Sequence, residues 1–427
     1  MPKNFLEQLS KVAVFRAREQ ALGTPQAQAG VSMALDLGSG LAIERTIEDD
    51  RDQLRGAEFA TKLYAAGETA SGKLSEKRAK PDFITFVMAY FFGQVSSQEA
   101  SDGVYQHTIT ILNSLYPPSF TLTQRKGDSI LKERFAGNLI ESFNLELGDS
   151  WVGLSADVKG VGEREANYLR EVVSAPENSA QITLGSNGVE GTSAAERIEN
   201  VFRVRARATG SAIWTVRKAA SVSGATPAVI TLEQAVGTGN SNIDFYIDYI
   251  PREPAWCQFP AAIDESPLRL VDAQVIVDGY FNGSQVLGGE VISGDLLNFP
   301  IQGKNDLDLR KLADGSNELH ASDAILKGRD LSIKISERLR NTVRQWQADH
   351  PETEFLSLYL KLRGAEIIPG FGYHFGADII FPKCGILKAP VSTKGKIFSQ
   401  EGDLLVMDDG NYGGIFIRTW NQESAYL

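Results

Sequence analysis

The stretch that decides the fold covers residues 119–162, where apolar and polar residues alternate in three successive segments. They read Ser-Phe-Thr-Leu-Thr-Gln-Arg-Lys-Gly-Asp (119–128), Glu-Arg-Phe-Ala-Gly-Asn-Leu-Ile-Glu-Ser-Phe-Asn-Leu-Glu-Leu-Gly-Asp (133–149) and Trp-Val-Gly-Leu-Ser-Ala-Asp-Val-Lys-Gly (151–160). A period of two places one set of side chains against a core and the other outside, as in half-buried strands. Turns at Gly127 and Gly148 separate the segments. The stretch therefore predicts a sheet with one face packed against a hydrophobic core, and it contains no catalytic or ligand-binding motif.

The same alternation recurs along the chain and predicts a mainly β protein. Further strands are expected at residues 32–47, 202–208, 243–249, 270–280, 290–301, 330–335, 356–362, 376–382 and 413–420. A short helix is expected in each half. The first, residues 82–92, follows Pro81 and ends at Gly93, and the second, residues 337–349, has Ser336 as its predicted N-cap. Because the first helix is apolar nearly all round, it must be covered on both faces.

A change of composition predicts an inserted module in the middle of the chain. Glycines punctuate short strands between Gly185 and Gly239, and prolines between Pro251 and Pro267 mark a boundary. We therefore divide the chain into a first half (1–165), an inserted β-rich module (166–265) and a second half (266–427). An immunoglobulin-like sandwich is one form that the module could take.

Bulk properties limit the function classes. A net charge of −11 argues against a sequence-neutral nucleic-acid binder, because binding to phosphates requires clustered Lys and Arg. Two cysteines are too few for a disulfide framework and favour a reducing compartment. The first 23 residues lack the apolar core of a signal peptide, and the most apolar run, residues 83–92, is about half of a membrane span. A soluble intracellular product is expected.

A charged run at residues 44–67 predicts a long exposed loop. Long loops in compact domains are usually functional or disordered. Its crowded charged residues are the candidate site residues: Glu48, Asp49, Asp50, Arg51, Asp52 and Arg55. Calcium binding is disfavoured here because the glycine and the closing glutamate of an EF-hand loop are missing.

Several other segments contain residues that occur in nucleotide-binding, metal-binding or catalytic sites. Residues 35–40, Leu-Asp-Leu-Gly-Ser-Gly, resemble the nucleotide-binding turn of S-adenosylmethionine methyltransferases, but the run after them is charged and lacks a third glycine. The four histidines are widely separated, which disfavours a metal site. Cys257 and Cys384 lie among apolar residues and prolines, which favours buried structural thiols over nucleophiles. We predict no cofactor, no metal and no enzymatic activity.

Arg203, Arg205 and Arg207 form the only basic stripe on a predicted strand face. Such a stripe can contact phosphate or an acidic neighbour. The favoured interpretation is a solvated strand face that discourages pairing at a sheet edge.

Taken in order, these features resemble the major tail tube protein of long-tailed (siphovirus-type) bacteriophages. The matching segments are Val-Phe-Arg-Ala-Arg-Glu (14–19) through Gly-Thr-Pro (23–25), the charged run 45–67, the helix 81–93, the strand 120–123, Phe-Ala-Gly (135–137) with Ile-Glu-Ser-Phe (140–143), the hairpin at Trp151, residues 272–279, Gly-Lys-Asn-Asp-Leu (303–307) and the last strands. They cover most of residues 1–162 and 268–427. Residues 163–264 match nothing in the minimal family fold.

The resemblance implies a structural virion protein rather than an enzyme. Its fold would be a tail-tube-type β-sandwich or barrel subunit, and copies would form stacked rings, hexameric or alternatively trimeric, around a hollow lumen. The charged run would reach the adjacent ring. Genomic DNA would pass through the lumen without specific binding, repelled by inward carboxylates. The implied partners are the chain itself, a tape-measure protein and tail terminator or distal tail proteins. The implied location is the virion tail, after synthesis in the host bacterial cytoplasm, with no membrane association.

A carbohydrate-binding β-sandwich, from a virion spike or a surface lectin, is the alternative function. Clustered surface aromatic residues and a convergent polar pocket would favour it. The five tryptophans are scattered along the sequence: Trp151, Trp214, Trp256, Trp346 and Trp420. The tail tube interpretation is therefore preferred.

Overall fold

The structure, a computed structural model, describes residues 11–28, 30–51, 59–127, 131–148, 150–208, 211, 213–313, 319–339, 343–394 and 397–427. The described residues contain twenty-nine β-strands and three α-helices. The predicted mainly β class is therefore confirmed. One helix lies in each half of the chain and one in the middle region: α1 (Pro81–Phe92), α2 (Ala194–Glu199) and α3 (Val343–Asp349).

The strands fall into three groups along the sequence. The first group is β1 (Lys11–Val14), β2 (Val31–Met33), β3 (Gly40–Asp49), β4 (Leu63–Glu76), β5 (Gly93–Ser101), β6 (Val104–Ile111), β7 (Phe120–Lys126), β8 (Leu131–Leu147), β9 (Val152–Gly160) and β10 (Arg164–Ala166). The second is β11 (Leu169–Pro176), β12 (Gln181–Thr183), β13 (Val201–Ala208), β14 (Thr215–Arg217), β15 (Ala219–Val222), β16 (Val229–Leu232) and β17 (Asn242–Tyr249). The third is β18 (Ala273–Val277), β19 (Tyr280–Phe281), β20 (Val286–Leu287), β21 (Glu290–Val291), β22 (Leu296–Asn298), β23 (Pro300–Arg310), β24 (Asp323–Arg338), β25 (Phe355–Glu366), β26 (His374–Lys388), β27 (Val391–Lys394), β28 (Ile397–Val406) and β29 (Phe416–Asn421).

One large antiparallel sheet joins the two outer groups of strands. β8 connects them, because it pairs with β7 and β9 from the first half and with β23 from the second. A second junction is β6 with β29. The main hydrophobic core accordingly combines residues 12–158 with residues 268–426 and takes none from the middle group. Residues from both ends of the chain therefore share one hydrophobic core.

Helix α1 lies inside this sheet system. All twelve of its residues are buried, and it contacts β5, β6, β8, β26 and β29. Pro81 occupies the first turn, where its missing N–H costs nothing, and Gly93 ends the helix in a left-handed conformation with φ 90°. The expectation of a helix covered on both faces is confirmed, and sheet from both halves covers it.

The middle group of strands forms two smaller sheets around a core of its own. One sheet has the order β11-β17-β13-β14 and the other β12-β16-β15. Their inward side chains form a separate hydrophobic cluster that includes Ile230, Phe245 and Ile247. The alternation predicted for residues 243–249 is seen in β17. In β13 only Val204 and Ala206 are buried as predicted, whereas Phe202, beside a register shift in the pairing with β17, and Ala208, at the end of the strand, are exposed.

Four predicted elements differ from the structure. Ser336 and Glu337 do not begin a helix. They continue β24, which pairs with β28 as far as Arg338, and α3 begins only at Val343. The strand predicted at 32–47 is divided into β2 and β3 by a turn, and the strands predicted at 270–280 and 290–301 are each divided into shorter strands. In each case pairing with distant strands, which is invisible locally, outweighs the local signal.

The segment 44–67, predicted as a long exposed loop, forms a β-hairpin at residues 44–49 and 63–67, and its residues 52–58 lie outside the described residues. β3 and β4 pair from Gly40 opposite Lys73 to Asp49 opposite Leu63. The predicted exposure is confirmed at residues 44–48 and 63–65, but the prediction of a loop was wrong. Both faces of the distal hairpin are in solvent, so no buried face imposes a period of two on its hydrophobicity.

Close packing at the β8–β23 junction depends on a glycine. Gly303 lies directly opposite Phe143, and a Cβ atom there would lie 2.2 Å from Cε1 of Phe143 and 2.7 Å from Cζ of Phe91. We expect Gly303→Ala to lower the free energy of unfolding by about 1–3 kcal/mol, as overpacked cores do. Gly328→Ala, on the paired strand β24 with nothing within 4 Å of its Cβ, is the control. Equal urea midpoints for the two variants would contradict this packing argument.

Candidate functional site

The distal part of the β3–β4 hairpin, described at residues 44–51 and 59–68, projects from the main sheet, and we call these residues the arm. Residues 44–48 and 63–65 are exposed on both strands, so neither face of this ribbon rests on the body of the protein. At its base the arm is fastened by a hydrogen bond from the Glu68 N–H to the Leu319 carbonyl (2.9 Å) and by one from Lys311 Nζ to the Ala66 carbonyl. A two-stranded ribbon alone in water is marginally stable. The arm is therefore a feature that gains from a further contact.

Most of the predicted charged residues that are described serve the shape of the arm tip. Asp49 accepts hydrogen bonds from the N–H and Nε of Arg51, and the side-chain bond from Arg51 lowers the pKa of Asp49. Asp50 is buried and accepts hydrogen bonds from the N–H (2.8 Å) and hydroxyl (2.5 Å) of Thr61. Glu48 is exposed on β3, opposite Tyr64. Asp52 and Arg55 lie outside the described residues.

The sequence reasoning missed the apolar residues of the arm. Ile47, Phe59, Leu63 and Tyr64 are 57%, 80%, 71% and 42% exposed. Leu63 lies directly opposite Asp49, so their side chains are on the same face of the ribbon. Ile47 is two residues before Asp49 on the same strand, and it therefore lies on that face as well. Clustered exposed apolar side chains mark surfaces that contact other molecules. The only local signal was their presence within a run otherwise dominated by charge.

A groove of about 920 Å³ lies at the base of the hairpin, between β1, β2, β3 and the end of β7. Its lining includes Val12, Met33, Leu35 and Leu41, with Lys73 among the polar residues. Residues 35–40, the methyltransferase-like turn, form one wall. That turn connects β2 to β3 rather than a strand to a helix. The helix N-terminus that binds a nucleotide phosphate in a βαβ unit is therefore not formed here.

A buried network of polar side chains lies next to the N-terminus of α1. Arg16 forms an ion pair with Asp82 (2.5 Å), and the Tyr426 hydroxyl donates to the other carboxylate oxygen of Asp82 (2.6 Å). Asn421 donates to the Tyr426 oxygen (2.8 Å) and is 2.9 Å from His107 Nε2. Burial lowers the pKa of His107. The network joins β1's C-terminal extension, α1, β6 and the residues after β29, so its role is to hold distant segments together.

Two buried glutamates border this network. Glu265 accepts a hydrogen bond from the Asp82 N–H (2.8 Å), and Glu76 accepts one from the Lys80 N–H (2.9 Å). Each is only 3% exposed. Burial, reinforced by neighbouring carboxylates, raises the pKa of each to about 8. A raised carboxyl pKa can indicate a catalytic acid. Here the surroundings are the closed interior rather than a cleft, which favours a structural role.

Neither cysteine occupies a reactive environment. Cys257 and Cys384 are both buried and free. Burial raises the pKa of each thiol to about 12, so the nucleophilic thiolate is suppressed at neutral pH. The buried structural interpretation is confirmed. Within the described ranges, no three side chains of His, Cys, Asp and Glu come together as a metal site.

The arginine stripe is organised differently from the prediction. β13 pairs with β17 on one side and with β14 on the other, so it is not a sheet edge. The guanidinium groups of Arg205 and Arg207 lie over the ring of Trp214, with their carbon atoms 5.0 and 4.5 Å from its centroid. Protection of an edge strand was therefore the wrong explanation, and two of the three arginines instead stack on an aromatic ring at the outward face of the sheet.

Comparison with known proteins gives the site no further definition. No protein family matches the sequence, and no curated protein matches it. Of the helices in the described ranges, none has both the length and the apolar character needed to cross a membrane.

Proposed function

We propose that this chain is a structural subunit of a phage tail tube, in which copies form rings that stack around a lumen. The arm carries the proposal. It is a ribbon that extends from the body, is shaped at its tip by its own charged residues, and exposes Ile47, Phe59, Leu63 and Tyr64. A neighbouring copy that covers these side chains would bury apolar surface that the single chain leaves in water.

Unpaired strand edges add support for assembly. In the part of the chain that the structure describes, β3 pairs only with β4 and β5 only with β6. Exposed edges favour pairing with another chain, and a ring of copies closes such edges. Because the arm and the β5 edge are different surfaces, a contact between them on two copies would be heterologous, which yields closed rings or extended filaments. Hexameric rings are the preferred form, with trimers of the two-halved chain as the alternative.

The remaining roles follow from this assembly. DNA would pass through the lumen without being bound. The net charge of −11 fits this role because negative charge repels the phosphates of DNA. A tape-measure protein and tail terminator or distal tail proteins would set the length and the ends of the tube. The proposed location is the tail of the virion.

Electron microscopy of the purified, concentrated protein tests the proposal. We expect rings or hollow tubes with an axial pore, and their rotational symmetry distinguishes hexamers from trimers. A chain that stays monomeric at every concentration, and also when mixed with preformed tail tips, would contradict the proposal. Glycan binding by such a monomer would support the alternative of a carbohydrate-binding sandwich.

The arm makes a specific prediction about assembly. Replacing Ile47 and Leu63 by threonine should prevent ring stacking while the monomer remains folded, because both side chains already lie in solvent within the single chain. Sedimentation velocity and microscopy measure assembly, and circular dichroism measures folding. Val271→Thr with Leu387→Thr is the matched control, since these exposed residues lie outside the arm. Tubes of normal length from the arm variant would refute this role of the arm.

A further inference from the structure

The outward side of the β11-β17-β13-β14 sheet has an unusual composition, and we call it the arginine face. It carries Arg203, Arg205 and Arg207 from β13, opposite Asp248, Tyr246 and Asp244 of β17 in that order. Arg170, Val172 and Ser174 of β11 follow on the other side of β17, and Val216 of β14 lies opposite Arg205. The inward residues of β13 that lie between the three arginines, Val204 and Ala206, are buried.

Two of the arginines are held in place by aromatic rings. Arg205 and Arg207 lie over Trp214, and the ring of Trp214 contacts that of Tyr246 edge-on, with centroids 4.5 Å apart. Arg207 also donates a hydrogen bond to the Tyr246 hydroxyl (3.0 Å). A guanidinium stacked on a ring keeps its charge and has less conformational freedom to lose when it binds a carboxylate. The Nε atoms of Arg205 and Arg207 are buried and have no hydrogen-bond partner among the described residues, so the terminal Nη atoms are the donors that these arginines can offer to a ligand.

The arginine face is cationic on an acidic protein. Its four arginines face two aspartates, and both aspartates have partners on β11. Asp248 is bound by Arg170, with Nε to Oδ1 at 2.6 Å, and Asp244 accepts from the Ser174 hydroxyl at 2.9 Å. The chain as a whole carries −11. Val172 and Val216, which are 52% and 71% exposed, add apolar surface beside the arginines. Stacked arginines with exposed apolar neighbours are typical of binding surfaces.

We propose that the arginine face binds an extended acidic peptide in which Asp or Glu alternates with other residues. Successive arginines two positions apart on a strand lie about 6.6 Å apart. An extended peptide with acidic residues at every second position presents carboxylates on one side at that same spacing. Each carboxylate can then accept a pair of hydrogen bonds from one guanidinium, which is the geometry that arginine favours. The intervening side chains of the peptide face away from the sheet.

Titration of the full-length protein with synthetic peptides tests the site. The probe is Thr-Glu-Thr-Glu-Thr-Glu-Thr, and its partner is Glu-Thr-Thr-Glu-Thr-Thr-Glu, which has the same composition but places successive glutamates on opposite sides of an extended chain. We expect the alternating peptide to bind at least about tenfold more tightly, by calorimetry and by Trp214 emission. Raising the salt concentration should weaken its binding. Equal affinity for the two peptides would overturn the proposal.

Variants locate the binding. Arg203→Ser, Arg205→Ser and Arg207→Ser together should weaken binding of the alternating peptide by at least about tenfold. Lys11→Ser, Lys73→Ser and Lys334→Ser together are the control, since they remove the same charge from exposed positions of the main sheet. Arg205→Lys with Arg207→Lys keeps the charge and avoids a large packing change, and it should still weaken binding because lysine cannot form the bidentate pair. Wild-type affinity in both arginine variants would overturn the proposal, as would tighter binding of a polyuronate oligosaccharide at the same arginines.

Discussion

Replacing Arg16 by methionine is expected to lower the free energy of unfolding by about 3–5 kcal/mol. The Arg16 side chain is only 5% exposed and pairs with Asp82 inside the protein. Methionine fills much of the same space but leaves the Asp82 carboxylate buried without its cation. Tyr426 would remain as a hydrogen-bond donor to Asp82, which is too little to replace a charge. Chemical denaturation monitored by circular dichroism measures the change.

Two further variants separate the ion pair from general effects of substitution. Lys388→Met removes a cation from an exposed pair with Asp403, and we expect no measurable loss of stability there. Adding Asp82→Asn to Arg16→Met removes the unpaired charge and should recover part of the loss. A single variant as stable as the wild type, or a double variant less stable than either single one, would show that the pair does not act in this way.

The free energy of unfolding is expected to fall by about 2–4 kcal/mol as the pH rises from about 6.5 to about 8. Glu76 and Glu265 have pKa values of about 8 in the folded protein against 4.5 when exposed. In this range the folded state therefore holds protons that the unfolded state has released, and stability decreases with rising pH. His107 acts in the opposite direction, because its pKa is lowered by burial, but only below its unfolded pKa of about 6.5.

Glutamine at both positions tests the assignment. Glu76→Gln and Glu265→Gln keep an oxygen that can accept from the Lys80 and Asp82 N–H groups but cannot ionise. The double variant should be more stable than the wild type at pH about 8 and should show a flatter pH profile. Glu401→Gln, at an exposed position on β28, should leave the profile unchanged. A wild-type curve that rises between these pH values would be incompatible with buried protonated glutamates.

Local sequence patterns were sufficient to predict those elements in which the residues at the ends and the pattern of apolar residues indicate the same secondary structure. Pro81 and Gly93 delimit α1 because each suits only one end of a helix, and the apolar residues between them required cover on all sides. Leu356, Leu358, Leu360 and Leu362 are all buried, as their alternation predicted. In such segments propensity, periodicity and tertiary packing act in the same direction.

Local sequence patterns gave the wrong secondary structure where pairing with a strand distant in the sequence determines it. Ser336 has the local features of a helix cap. It nevertheless lies in β24, where Ile333 and Ile335 are buried and where pairing with β28 continues to Arg338. Because neither face of the arm is buried, its strands show no alternation of apolar and polar residues. The exposed Ile47 and Leu63 could not be recognised as a contact surface because they lie in a run dominated by charged residues. The secondary structure of a ribbon in solvent depends on its partner strand rather than on its own pattern.

The buried network could not be predicted for a geometric reason. Asp82 meets Arg16 from 66 positions away, Glu265 from 183 and Tyr426 from 344. Each of these residues is unremarkable in its own segment. Only the fold brings them together, and the burial that raises the glutamate pKa values is likewise a property of the assembled sheet. The arginine stripe was visible in the sequence, but Trp214 was not recognisable as the ring that holds it.

The way in which the middle strands join the main sheet has a consequence for how this gene could diversify. Leu169 and Tyr249 are directly opposite each other where β11 begins and β17 ends, so residues 169–249, which contain all the middle strands, begin and end at two positions about 5 Å apart. None of the described hydrophobic side chains of strands β11–β17 belongs to the main core. Recombination at this gap could exchange one cargo domain for another, or remove it behind a tight turn, while the scaffold keeps its packing. The same gap is a natural position for grafting a foreign epitope or enzyme onto the protein.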